Sequence, residues 1–268
     1  PKAEMQNYVA SNLYHGGLHD TESMHLHPLK FTQGIARAAE MAGAQIYEDS
    51  AVIEVIKGGA PVLRTAEGQV RAKFAILACN GYLGGLERTI APYILPINNY
   101  IVATEPLGET RARDLIPSGA AVSDTKFVLD YYRISADGRL IFGGGETYGG
   151  GGPSDIREFV RPYVERVFPQ LAGVKLDYGW GGTLAITWPR MPHVGRIDGN
   201  VYFAHGYSGQ GVAIASQMGA LIADAIHGQA AKFDVYGSLK IPKLPGGALL
   251  RRPLLTAALL WYGLRDRI

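Results

Sequence analysis

Apolar positions in this chain change period several times, and each change marks an element. Leu29, Ile35, Ala38, Ala39 and Ala42 recur at helical spacing behind Pro28, a residue suited to a first helical position, and Gly43 stops the run. Residues 44–47 and 52–56 read as short strands, the second rich in β-branched side chains. Gly58-Gly59 and Glu67-Gly68 then punctuate a meander through Val62, Leu63 and Val70. Phe74, Ala75, Ile76, Leu77 and Ala78 are continuously apolar, the pattern of a strand buried on both faces of a parallel layer. That run ends at Cys79, Asn80 and Gly81, where a ligand can meet the carboxyl end of a sheet.

Beyond Pro92 and Pro96 the pattern shifts. Residues 99–104 and 127–134 read as strands, and Asp137-Gly138 turns the latter into a strand over 139–142. Ile156, Phe159, Val160, Tyr163, Val164, Val167 and Phe168 form one face of an amphipathic helix. Asp155 with Glu158 has the form of a capping box, and Pro162 must kink that helix or lie near its first turns. Strands over 174–178 and 183–187 lead to a strand over 201–204. Directly after it comes His205-Gly206-Tyr207-Ser208-Gly209-Gln210-Gly211-Val212, which opens a helix over 213–228 carrying Ile214, Met218, Leu221, Ile222 and Ala225. The order implies an α/β (α+β) fold. A parallel or mixed ligand-binding layer uses residues 1–90 and 190–235, an antiparallel sheet with a helix is inserted at 91–189, and 236–268 form a tail.

Strand, glycine turn and helix start together make a site for a group that carries or gains negative charge. The first turn of a helix offers unpaired N–H groups and a positive dipole end, and glycines let a ligand approach the backbone. A flavin ring suits this arrangement, because reduction builds negative charge on its pyrimidine side. A dinucleotide fingerprint, G-x-G-x-x-G between strand and helix, is missing from the sequence: Gly143-Gly144-Gly145 follows a strand, but no helix opens from it. With Pro1 as first residue, the chain reads as the C-terminal part of a longer protein whose pyrophosphate-binding unit lies outside it. By itself such a chain is expected to bind flavin poorly and to self-associate through uncovered apolar surface.

Composition narrows the classes further. The 268 residues are 47% hydrophobic, enough for a packed core. A net charge of +2, without a Lys/Arg stripe interleaved with aromatics, argues against nucleic acid. Cys79 is the single cysteine, so no internal disulfide forms, which fits a reducing compartment such as the cytoplasm, and it reads as a small buried hydrophobe. The apolar run 254–264, flanked by arginines, is shorter than the ~20 residues a membrane span needs. It reads as a terminal helix packed on the body, with a membrane-surface or partner-docking helix as the alternative. His15, His19, His25 and His27 cluster without carboxylate or cysteine partners at ligand spacing, so no metal is expected. The glycines at 149–152 read as a mobile loop or a lid.

Several stretches carry a specific resemblance. Trp180-Gly181-Gly182-Thr183, Pro192-His193-Val194-Gly195 and the segment from His205 to Val212 resemble the C-terminal signature of FAD-dependent amine and amino-acid oxidases, the D-amino-acid-oxidase-like group. Tyr14-His15-Gly16-Gly17, His25-Leu26-His27-Pro28-Leu29, Ala103-Thr104-Glu105-Pro106-Leu107-Gly108 and Leu129-Asp130-Tyr131-Tyr132-Arg133 are similar to its gamma-glutamylputrescine oxidase branch. So are Val70-Arg71-Ala72-Lys73-Phe74, Arg139-Leu140-Ile141-Phe142-Gly143-Gly144-Gly145 and Tyr262-Gly263-Leu264-Arg265-Asp266.

The resemblance implies a two-domain flavoenzyme and assigns roles. Val52 matches a residue whose backbone meets the adenine. Ala78, Asn80 and Gly81 match the strand end beside the cofactor, and Gly206, Tyr207, Ser208, Gly209, Gln210, Gly211 and Val212 match the loop at the flavin's pyrimidine edge. Tyr131 and Tyr132 match the strand that roofs the ring. They alternate faces, so only one meets substrate, and Tyr132 is the preferred candidate. Arg133 is a surface ion-pair residue or a contact to the substrate's distal end. Where the amino-acid oxidases clamp an α-carboxylate with arginine, this chain has Leu184, so an amine without a neighbouring carboxylate fits better. No cysteine lies near 184–190, where some relatives tether the cofactor, so FAD is expected to be non-covalent. The implied partners are a small amine and oxygen as electron acceptor, with a dehydrogenase of the same family that passes electrons to a quinone as the alternative.

Overall fold

The computed structural model describes residues 1–126, 128–147 and 151–244. In chain order the main elements are α1 (Pro28–Met41), β1 (Glu54–Ile56), β2 (Val62–Arg64), β3 (Gln69–Arg71), β4 (Ala75–Leu77), β5 (Leu95–Thr104), α2 (Glu109–Leu115), β6 (Val122–Ser123), β7 (Tyr131–Ile134), β8 (Leu140–Thr147), α3 (Ile156–Val167), β9 (Leu176–Ile186), β10 (His193–Ile197), β11 (Val201–His205), α4 (Gly211–Ile226) and α5 (Ala231–Gly237). The fold is mixed α/β, with two compact units. Among the described residues, one comprises Pro1–His25 and Ile97–Thr183; the other comprises Leu26–Pro96 and residues 184–244.

The second unit holds two small sheets. β1, β2 and β3 form the antiparallel meander expected from its glycine punctuation. The other sheet has the order β10-β11-β4, with β4 parallel and β10 antiparallel to β11. Ala75, Leu77, Val201 and Phe203 join Ile90, Ile94 and Ala185 in one core, on which Val55 and Leu63 also pack. Met218, Leu221, Ile222 and Ala225 of α4 form a second core with Val194, Tyr202, Ala204 and Phe233.

β4 pairs in parallel as its apolar run suggests, but it is not buried on both faces. Ile76 is 47% exposed, because β4 has a neighbour on one side only among the described residues and its outward face carries no covering element. α1 likewise has no buried residue; His27 caps it by accepting the Lys30 N–H, and Gly43 ends it at φ 95°. Residues 44–47 do not form a strand, for they find no ladder partner among the described residues.

The first unit is built on a five-stranded sheet of order β6-β7-β8-β5-β9. β7 and β8 form the hairpin expected at Asp137-Gly138, with Gly138 at φ 75° and the Ser135 N–H bonded to the Arg139 carbonyl. The two strands expected around 174–187 are one continuous strand, β9. Its glycines do not break it, because they sit where side chains press in: a Cβ on Gly181 would lie 2.8 Å from Tyr100 and one on Gly179 2.9 Å from Arg157.

α3 packs Val160, Val164 and Val167 into the core with Val102, Tyr132, Leu140, Phe142 and Phe168. Asp155 caps its start by accepting the Arg157 N–H, but the reciprocal half of a capping box is absent, since Glu158 instead pairs with Arg161. Pro162 stands mid-helix. The first 25 residues, grouped by sequence with the ligand-binding layer, pack in this unit. Val9 is buried in its core, and the Ser11 hydroxyl donates to the Val167 carbonyl at 2.6 Å. The tail helix and the first half of the 149–152 loop lie outside the described residues, as does the Phe127 end of the strand read at 127–134.

Candidate functional site

Two parallel strands end side by side, and the site grows from that junction. β4 leads to Ala78, which is exposed, and then to a single 3-10 turn at Asn80–Tyr82 containing Asn80 and Gly81. β11 leads to Gly206. The Asn80 side-chain oxygen accepts the Gly206 N–H at 3.0 Å, tying the two strand ends together. Asn80 sits at φ 46°, a left-handed conformation that asparagine tolerates better than most residues. The residues expected beside a cofactor on β4 and those on the glycine loop are thus brought together. Val52 stands apart, half-buried just ahead of β1.

The loop is shaped by left-handed residues at Gly206 (φ 74°), Ser208 (φ 51°) and Gly209 (φ 95°). Gly206 is sterically compelled as well, since a Cβ there would fall 2.4 Å from the Thr187 methyl. Ser208 locks the turn: its N–H donates to the Ala185 carbonyl at 3.1 Å, and its hydroxyl donates to the Gly206 carbonyl at 3.2 Å. Tyr207 faces inward. It is buried, its hydroxyl donates to the Ala204 carbonyl at 3.1 Å, and burial pushes its pKa up, so its side chain is part of the scaffold.

Gly209, Gln210 and Val212 are exposed, and α4 begins at Gly211, two residues before the start read from sequence. No side chain caps it, leaving the first-turn amides from Gly211 available to a ligand. A Cβ on Gly209 would meet nothing within 4 Å, so this side of the cradle is open. Small residues of α4, among them Ala213, Ser216 and Ala220, are exposed beyond it. Backbone donors, a helix dipole and open surface fit a group that gains negative charge, as the pyrimidine edge of a flavin does.

Behind the loop lies a pair of histidines. His193 on β10 is the register partner of His205 on β11, and Nδ1 of the first is 2.8 Å from Nε2 of the second. Tyr93 packs 4.2 Å from the His193 ring, and Phe203 meets both imidazoles edge-on. Burial lowers His193 to about 4 and His205 to about 3, the latter with a contribution from its neighbour, so both are neutral near pH 7.

In the five-stranded sheet the two tyrosines take opposite faces, and the one preferred from sequence for the substrate side, Tyr132, is the buried one. Tyr132 is 3% exposed, stacks on Phe142 at 5.4 Å and donates its hydroxyl to Tyr14 at 3.0 Å; it belongs to the core. Tyr131 lies on the other face, across Gly143, and its hydroxyl donates to Asn99. A Cβ on Gly143 would sit 2.1 Å from the Tyr131 ring, so only glycine allows this ring to lie on the sheet. The burial of Tyr132 follows from register, since it pairs with fully buried Phe142 and the α3 side of the sheet is the core side. Burial pushes the Tyr131 hydroxyl up to about 12, and it stays protonated under ordinary conditions.

A FAD-dependent oxidoreductase family model, DAO, matches residues 2–225. The chain belongs to that family. It is 43% identical to a gamma-glutamylputrescine oxidoreductase of Escherichia coli over 97% of its length, and 25% identical to a glycine oxidase of Bacillus subtilis over 90%. It spans 61% of the first relative and 64% of the second. Among solved structures, a glycine oxidase from Geobacillus kaustophilus shares the fold with a TM-score of 0.60 at 19% identity, covering 74% of this chain and 53% of that one. An L-proline dehydrogenase from P. horikoshii does so with a TM-score of 0.60 at 24% identity, covering 80% and 57%.

Three features of this family member escape its sequence pattern. β10 is hidden because Gly195 interrupts the apolar run; the glycine is needed where the Phe203 ring crosses, 2.8 Å from a Cβ at that position. The His193–His205 contact follows only from pairing β10 with β11. Asn99 becomes the Tyr131 partner through a β-bulge between Asn99 and Ile101 that no local signal announces. Leu184 is half-buried.

Proposed function

We propose that the unit carrying α4 binds FAD non-covalently and that the unit carrying the five-stranded sheet binds a primary amine of the gamma-glutamylputrescine class. When bound, FAD would accept a hydride from the amine's α-carbon and pass the electrons to oxygen, and the resulting imine hydrolyses to aldehyde and ammonia with peroxide as by-product. The observation that carries this reading is the Asn80–Gly206 junction, which fixes an open, uncapped helix start at the carboxyl ends of two parallel strands. The 43% identical E. coli relative, whose name carries that substrate, supports the choice of amine.

The chain's own residues supply placement and polarity. Main-chain amides of the first turn, Gly211 to Ala213, would favour negative charge at the flavin edge by ~1 kcal/mol or more in a dry site. Tyr131 offers a protonated hydroxyl and a flat ring to the substrate side. Leu184 provides no charge for an α-carboxylate.

The test uses the whole polypeptide. Purified protein should be yellow, acid precipitation should release free flavin, and anaerobic gamma-glutamylputrescine should bleach the visible band, with peroxide formed on admitting air. A colourless protein, or a flavin that no primary amine reduces, rejects the reading.

A further inference from the structure

Arg133 has unusual company. It lies two residues after Tyr131 on β7, on the same face of the sheet and away from the core that holds Tyr132. Its Nη1 is 3.2 Å from Nδ1 of His25. A guanidinium can only donate, so His25 accepts with Nδ1 and carries its proton on Nε2. The contact orients Arg133 without neutralising it. In the same unit Arg113, Arg139, Arg157, Arg161 and Arg166 each pair with a carboxylate of the chain. Among the described residues no carboxylate pairs with Arg133.

The surface between Tyr131 and Arg133 is apolar. Arg133 pairs in register with Ile141 and Tyr131 with Gly143, and on β5 these face Ala103 and Ile101. All are partly or fully screened from water. Residues of one face are about 7 Å apart along a strand, and an arginine side chain extends the span further. An apolar strip with a hydroxyl-bearing ring at one end and an oriented, acid-free guanidinium at the other matches an elongated ligand with a carboxylate at its far end.

We infer that Arg133, oriented by His25, is the specificity-determining residue that binds the carboxylate at the distal end of the substrate. This rests on the proposed amine-oxidising function and names its substrate class: amines whose acid group lies many bonds from the reacting carbon. Planar, bidentate pairing makes arginine the suitable cation for that end.

Two measurements on the holoenzyme test it. First, gamma-glutamylputrescine is compared with N-butyrylputrescine, which lacks the carboxylate. Arg133→Gln should lower kcat/KM about 10- to 100-fold for the acid, mainly through KM, and leave that of the amine without a carboxylate unchanged. Arg133→Lys should restore only part of the loss. Equal losses on both amines, or none on the acid, overturn the inference. Second, binding of gamma-glutamylbutylamide, which has the acid but no reacting amine, is measured against its carboxamide. The unsubstituted holoenzyme should prefer the acid about 10-fold or more, and Arg133→Gln should abolish the preference. Equal affinity for the two ligands in the unsubstituted protein overturns the inference even where no amine is oxidised, whereas a failure of flavin reduction alone rejects only the proposed reaction.

Discussion

His193 and His205 share a 2.8 Å hydrogen bond between Nδ1 and Nε2, so one imidazole must donate while the other accepts. The pair holds β10 against β11 directly before Gly206, and a proton on the accepting nitrogen would break it. Burial places both below their ordinary value of 6.5, at about 4 and about 3.

A stability loss in acid follows from that depression. The histidines are neutral in the folded chain and take up protons near 6.5 when unfolded. Their contribution is therefore fully present above about pH 6.5 and is lost as pH falls through 4 towards 3. Each histidine contributes a slope of about 1.4 kcal/mol per pH unit in that window. Urea unfolding at several pH values measures it. His205→Leu with His193→Leu should flatten the profile between pH 6.5 and 4; an unchanged slope contradicts the assignment.

The two glycines of the loop separate fold from cradle. Gly206→Ala combines a left-handed φ with a Cβ 2.4 Å from Thr187, and is expected to destabilise by about 2–4 kcal/mol. Gly209→Ala meets open space, so its cost is confined to the φ of 95°, about 1 kcal/mol. If that space is the flavin site, Gly209→Ala should nonetheless weaken FAD binding in the whole protein, as read by flavin fluorescence on titration. Undiminished affinity would place the cofactor elsewhere.

Substitution of the adjacent tyrosines should divide along the sheet. Tyr132→Phe removes the hydrogen bond to Tyr14 and is expected to cost about 1 kcal/mol of stability with little change in KM. Tyr131→Phe frees Asn99 and alters the face turned away from the core, so its effect should fall on substrate KM. Gly143→Ala should act like a severe Tyr131 variant, since the ring must leave the sheet. Steady-state kinetics beside thermal melts distinguish the two tyrosines.

The rate should rise with pH between about 6 and 9, because an ammonium must lose its proton before it can release hydride. Tyr131, held at about 12, does not titrate in that range. The apparent pKa of kcat/KM should therefore follow the substrate amine and stay put in Tyr131→Phe. A profile that is flat, or that shifts with this substitution, contradicts the assignment.

Local chemistry settled much of this protein in advance. Proline and glycine at the ends of α1, the Asp137-Gly138 hairpin, the apolar stripe of α3 and the glycine loop ahead of α4 are each legible because their causes lie within a few residues. The glycine loop and its neighbouring motifs also carried the flavoprotein resemblance. What strand pairing decides was not legible. Tyr131 and Tyr132 differ by one position, and only the register with Phe142 determines which is buried. The His193–His205 bond, the Asn80–Gly206 tie and the acid-free setting of Arg133 join residues far apart in the chain. Periodicity records which side chains share a face; it cannot record which face meets the core, because that depends on the elements packed against it.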